Sequence, residues 1–301
     1  MQTLNLQKTK AELDIEERFL IEENLAGSTS EDFSKRFMEH VSTRLSINHY
    51  EQQREIQFAN ARENMLVKHK NINDLIGKYK NRTTISVAFG PSLSKNIDHL
   101  IKIKDKYKII SVDRAYDYLR QRGIETDVVV ACDALIHEQY LGDHPITKSK
   151  LIAHVGTNPD YVKKFIDLGG EVYFYISTHR FGLHAELSKL TGLRACLNVG
   201  GNVGNAGVTV ALDLLTVKKL LLVGYDHSFG EYYYPGIKRN IENQKVTTDI
   251  NGDLVYVELA MGWYNDLLIK YIYEKGKTDK VVNCTEGGIL DIPLKSSLSN
   301  Y

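Results

Sequence analysis

Cysteine is scarce in this 301-residue chain, with three residues, Cys132, Cys196 and Cys284, far apart and in no CxxC pair. That excludes a disulfide scaffold and predicts free, buried thiols in a reducing compartment. The ten histidines include no HxxxH pair or His/Cys cluster, so no metal site is expected. Excess charge is absent too: 38 basic residues balance 38 acidic ones, and no global field points to nucleic acid. No apolar run approaches the roughly 18–20 residues that span a bilayer. The opening MQTLNLQKTKAELDIEERF lacks the apolar centre of a secretory signal, which predicts a cytoplasmic protein with no membrane span.

Proline is missing from the first 80 residues, and glycine occurs there only at Gly27 and Gly77. Apolar residues recur at helical spacing, first Phe33, Phe37, Val41 and Leu45, then Ile56, Phe58, Ala59, Met65 and Leu66. Residues 1–80 therefore read as a helical N-terminal region, suited to capping or to homo-oligomer formation. From about residue 81 to 301 the rhythm changes. Short runs such as ISVAF, YKIISV, DVVVAC, KLIAHV, EVYFYIS and KKLLLVGYD are apolar almost throughout and alternate with amphipathic segments. Strands buried on both faces and joined by helices mean an α/β fold with a mostly parallel sheet flanked by helices. A polar hairpin is expected around Asn251-Gly252.

Ligands of such sheets bind beyond the carboxyl ends of the strands, and the unusual residues cluster there. Gly90-Pro91-Ser92 follows ISVAF and opens a helix whose first N–H groups would favour an anion. Asp113 and Asp133 end two strands, where a carboxylate can hold a ribose hydroxyl, a metal or an acceptor, or cap a helix. Asn198 to Gly207 packs four glycines and three asparagines into ten residues, including Gly201, Asn202 and Asn205. That suits a backbone approaching a ligand or a helix packed tightly on a strand. Asp226 and His227 follow KKLLLVGY, with Tyr232, Tyr233 and Tyr234 beyond. A histidine titrating near neutrality suits proton transfer. Asn283 and Glu286 follow the last strand.

Taken in order, GPSL, VDRAYDYLRQRGIETDVVVACD, VGGNVGNAGVTVALDLLTVKKLLLVGYDHSF and NCTEGGI resemble the Maf / MptE-like family, over about residues 80–293. That family takes its names from motility-associated flagellin glycosyltransferases and archaeal 6-hydroxymethylpterin diphosphokinases. The resemblance implies a Rossmann-like core. Its glycosyltransferase branch is similar to sialyltransferases, which implies a nucleotide-activated donor such as a CMP-sugar. By that likeness Gly90, Pro91 and Ser92 would lie by the nucleotide phosphate, and Asp113 and Asp133 would line the pocket. Gly201, Asn202 and Asn205 would hold the nucleotide, and Asp226 would close the far side; His227 as base follows from chemistry and position instead. The diphosphokinase branch implies Mg²⁺ with ATP, but the single aspartate of ACDAL and the segment HVGTNPD replace its extra carboxylates. Three readings stand: a glycosyltransferase acting on an unidentified acceptor, a diphosphokinase, and a non-catalytic nucleotide-binding module.

Overall fold

The computed structural model describes residues 53–178, 183–238 and 244–301. Most of the first 80 residues lies outside these, including the helical positions Phe33 to Leu45. A helix over 53–64, α1, is followed by a short 3-10 turn at Ile72–Leu75. Ala61 packs into one part of the core, and Ile72, Leu75 and Tyr79 into another, so residues on both sides of position 80 share the same core.

The central layer is a nine-stranded, wholly parallel sheet. Its first half runs outward: β1 (Thr83–Val87), α2 (Leu93–Ile103), β2 (Lys108–Val112), α3 (Asp113–Arg120), β3 (Val128–Ala131), β4 (Lys150–His154), α4 (Pro159–Asp167), β5 (Glu171–Ser177), α5 (Leu183–Thr191) and β6 (Cys196–Leu197). The chain then returns through α6 (Val203–Thr209) and a π-helical turn at Val210–Leu214 to β7 (Lys219–Val223), which pairs with β1 on its other side. Two small antiparallel hairpins follow, β8 (Tyr232–Tyr234) with β9 (Ile237–Lys238) and β10 (Lys245–Thr248) with β11 (Leu254–Val257). The second holds the expected turn at Asn251-Gly252. Helix α7 (Leu259–Glu274), β12 (Val281–Asn283) and β13 (Leu294–Lys295) complete the sheet in the order 13-12-7-1-2-3-4-5-6.

Side chains alternate across each strand, and both faces are covered. Val128 and Val130 face one core with Ile152, Tyr175, Val208 and Ile272, while Val129 and Ala131 face another with Leu151, Phe165 and Phe174. A third core joins Ile85, Leu93, Leu100, Leu119 and Leu221. Local chemistry sets the helix starts. Asn158 caps α4 by accepting the Asp160 N–H at 3.0 Å, with Pro159 at its first turn. Helix α3 begins without any loop, so Asp113 is its first residue.

All three cysteines are free, as expected, but only Cys284 is buried; Cys132 is half-buried and Cys196, in the short edge strand β6, is exposed. Among the described residues no helix is long and apolar enough to cross a membrane.

Candidate functional site

The strand order reverses between β1 and β7, and the loops after β1, β2, β3, β7 and β12 meet at the carboxyl edge there. Ligands of open α/β sheets bind at such a switch point. The residues singled out from the sequence fall into three groups along this edge.

The first group is closed on itself. Asp226, after β7, accepts the Ser92 N–H at 3.2 Å and the Ser92 hydroxyl at 2.8 Å. Leu93, Ser94 and Lys95 donate their N–H groups to the carbonyls of Gly90, Pro91 and Ser92. The anion at the start of α2 is thus the chain's own Asp226 carboxylate, which is buried, and burial raises it to about 7 despite the Ser92 bonds. Asn283 braces its turn by donating to the Leu290 carbonyl at 2.7 Å and accepting the Thr285 N–H at 2.9 Å. Glu286 accepts the Ser297 hydroxyl and the Leu298 N–H, tying the loop after β12 to the C-terminal turn. His227 has a left-handed backbone (φ +49°) and a buried Nε2 with no bonding partner. Burial holds it down to about 4, so it is neutral at pH 7.

The second group is the glycine-rich run. Asn202 caps α6 by accepting the Asn205 N–H at 2.8 Å. Asn205 donates to the carbonyls of Gly200 and Tyr264 at 2.7 and 2.8 Å. Gly201, at φ +89°, lies where a Cβ would stand 2.5 Å from the Tyr264 ring. The Tyr225 hydroxyl joins this run to the sheet, 2.7 Å from Ser86 Oγ and donating to the Gly204 carbonyl at 2.9 Å. Much of this glycine content therefore serves close packing. Tyr225→Phe is expected to cost about 1–2 kcal/mol, because it leaves the buried Ser86 hydroxyl without its partner; urea unfolding measures it.

The third group opens at the ends of β2 and β3. Asp113 is 1 % exposed; its Oδ1 accepts the Arg114 N–H at 2.7 Å, while Oδ2 is buried with no partner. Burial raises this carboxyl to about 7, with the Arg114 charge opposing and Asp133 adding to the rise. Asp133, half-exposed, accepts the Leu135 N–H at 2.8 Å, and its other oxygen lies 3.7 Å from the Arg114 guanidinium. Arg114 is the residue the motifs did not single out. Its guanidinium stands over the Tyr140 and Tyr234 rings at 5.3 and 5.8 Å and donates to the Tyr234 hydroxyl at 3.0 Å. Tyr234 in turn stacks on Phe89, at 5.3 Å and 16°. Against the cost of burial, the two tyrosines and two carboxylates keep Arg114 charged. Beside them the Cys132 thiol is held well above its ordinary value, mainly by burial and then by Asp113 and Asp133, so it is no nucleophile at pH 7.

A doubly wound α/β domain with its polar groups at the switch point is the class this arrangement defines. Residues 56–231 match the family described as 6-hydroxymethylpterin diphosphokinase MptE-like, and the chain belongs to that family. Among solved structures, the Maf glycosyltransferase from Magnetospirillum magneticum AMB-1 is similar in fold, with a TM-score of 0.60 and 21% identity over 82% of this chain. The match spans 39% of that larger protein. No curated protein matches the chain.

Proposed function

We propose that the protein is a transferase that binds a nucleotide-activated sugar in the switch-point crevice and passes the sugar to a hydroxyl acceptor. The Arg114 cluster carries this reading. A guanidinium fixed by two tyrosine rings, with donors left over, is a preorganised partner for a phosphate oxygen. The unpartnered Oδ2 of Asp113 can accept a ribose hydroxyl, and the exposed Gly201 can flank the nucleotide, while Asn205 holds that loop in shape.

In a single displacement the acceptor oxygen bonds to the anomeric carbon as the bond from that carbon to the phosphate oxygen breaks. The electron pair leaves with the phosphate. Arg114 and the Tyr234 hydroxyl stabilise that charge, and Asp133 takes the acceptor's proton. His227 is set aside for this step because its Nε2 is buried, whereas the Asp133 carboxylate is half-exposed. Asp226, bonded to Ser92 on both oxygens, holds the loop after β1 in place. The competing reading, diphosphate transfer from ATP, needs carboxylates free for Mg²⁺. Here the guanidinium already faces Asp133 and would repel a dication. The carboxylates suit an anionic donor held by Arg114 better than a metal complex.

Calorimetric titration with CMP, CTP, UDP, ADP and ATP, each with and without Mg²⁺, tests the reading. CMP is expected to bind without metal, and Arg114→Gln to weaken it about tenfold to a hundredfold, the worth of a charged hydrogen bond. Binding of ATP or ADP only with Mg²⁺ would replace this reading with the diphosphokinase. If nucleotides bind but no labelled sugar is transferred or hydrolysed, the domain is a non-catalytic nucleotide-binding module.

A further inference from the structure

The opposite edge of the sheet, at the amino ends of the strands, carries a second cleft that the proposed transfer does not use. Two adjoining cavities of about 330 and 220 Å³ share Arg82, Lys108, Asp127 and Lys148 in their walls. Lys78 and Lys150 line the first chamber, Lys104 and Lys106 the second. Seven cations thus face two carboxylates, Asp105 and Asp127. Asp127 is already committed: it is buried, pairs with Lys108 and accepts the Ile109 N–H at 3.0 Å. Lys104 donates to the Gly123 carbonyl, which leaves its charge unneutralised, and Lys106 donates to a backbone oxygen of Tyr301. Lys150 lies 3.8 Å from Glu171, which also pairs with Lys70. No ion pair is recorded for Lys78, Arg82 or Lys148 among the described residues. Three separate segments deliver these cations, the approach to β1, the turn before β2 and the entry to β4, while the entry to β3 supplies Asp127.

We infer that this cleft binds a small polyanion with two or more linked phosphoryl groups. A concave site with this excess of cations focuses positive potential, and ammonium groups are effective point-charge partners for phosphate. One chamber is at the small end of the usual range for ligand clefts and the other below it, which fits a polyphosphate chain or the phosphate end of a nucleotide rather than a large ligand. The site stands apart from the Arg114 cluster, at the other ends of the same strands, so occupancy of one does not require the other.

The test is calorimetric titration of the full chain with sodium tripolyphosphate, with orthophosphate and CTP as separate arms, at 50 and 200 mM NaCl. Tripolyphosphate is expected to bind more tightly than orthophosphate and to weaken with salt. The exposed pair Arg82→Glu and Lys148→Glu should reduce its affinity at least tenfold without changing the melting temperature, and Lys78→Ala should reduce it several-fold. Arg114→Gln should leave tripolyphosphate binding unchanged. If CTP competes with tripolyphosphate in Arg114→Gln, the ligand is a nucleotide's phosphate end; if it does not, the ligand is an inorganic chain. Either supports the site. Unchanged affinity in the double variant, loss of binding in Arg114→Gln, or orthophosphate binding as tightly would each overturn it. A short RNA that binds more tightly than tripolyphosphate and displaces it would also overturn it, in favour of a nucleic-acid surface.

Discussion

Asp113→Asn is expected to raise the melting temperature at pH 8 while weakening nucleotide binding. Asp113 is buried, one of its oxygens has no partner, and its folded value lies near 7 against about 3.9 for an unfolded aspartate. The sign follows from proton linkage. At pH 4 and below, both states hold the proton, and the residue contributes no pH dependence. Between about 4 and 7 the unfolded chain releases its proton and the native chain keeps it, so stability falls as pH rises. The gap corresponds to roughly 4 kcal/mol as an upper limit, and relaxation around a real buried group leaves about 1–2 kcal/mol. Asparagine keeps the shape and the Oδ1 acceptor for the Arg114 N–H but never ionises. The variant should therefore melt about 2–8 °C above the parent at pH 8 and level with it at pH 4. A variant that melts below the parent at pH 8 would show that the ionised carboxylate is a structural anchor. Binding should move the other way. A ribose hydroxyl donates best to an ionised oxygen, so parent affinity should rise as pH passes 7, and that rise should vanish in Asp113→Asn. Higher stability together with lost binding marks a group retained for its chemistry, a combination that a packing role does not produce.

The fold was readable because its strands are apolar on both faces. Runs such as VVVA, KLLLV and EVYFYIS are too short for helices and too continuous for one-sided sheets, which leaves a covered parallel sheet. Errors of detail have local causes. Asp113 reads as a strand end because β2 passes into α3 with no intervening residue. Strand β6 is two residues long, too short to leave a periodic signature. The site was harder to read, because its contacts join distant positions. Nothing near Ser92 announces that Asp226, 134 residues later, will accept both its N–H and its hydroxyl. Arg114 stands beside a predicted site residue, yet its significance comes from Tyr234, 120 positions on. A carboxylate at a strand end looks the same in sequence whether it awaits a ligand, as Asp113 does in our proposal, or is already bonded within the chain, as Asp226 is.

That ambiguity makes Gly90→Ala the sharper test of the loop after β1. A glycine before Pro-Ser at a strand end suggests a backbone thinned for an approaching phosphate. The packing around Gly90 has a different cause. A Cβ there would stand 2.0 Å from Asp226 Oδ2 and 2.5 Å from the Gly224 carbonyl oxygen. The first contact could be relieved by turning the carboxylate, at the expense of both Ser92 bonds. The second is with backbone, and it has no room to yield: Gly90 donates its N–H to that same carbonyl at 2.9 Å, and Ala88 donates to Val223 at 2.9 Å. The ends of β1 and β7 are zipped together at the point where the sheet reverses order. Spreading them would disturb the start of α2 and the buried Asp226 at once. The expected loss is about 3 kcal/mol or more without any ligand, seen as a lower urea midpoint and a melting temperature lower by roughly 6–12 °C. Gly236→Ala serves as the comparison, since nothing lies within 4 Å of its added Cβ and only its φ of +80° opposes the change; it should cost about 1 kcal/mol. If Gly90→Ala instead keeps the parent's stability and loses only nucleotide affinity, the glycine makes room for a ligand, and Asp226 must swing away from Ser92 when that ligand binds.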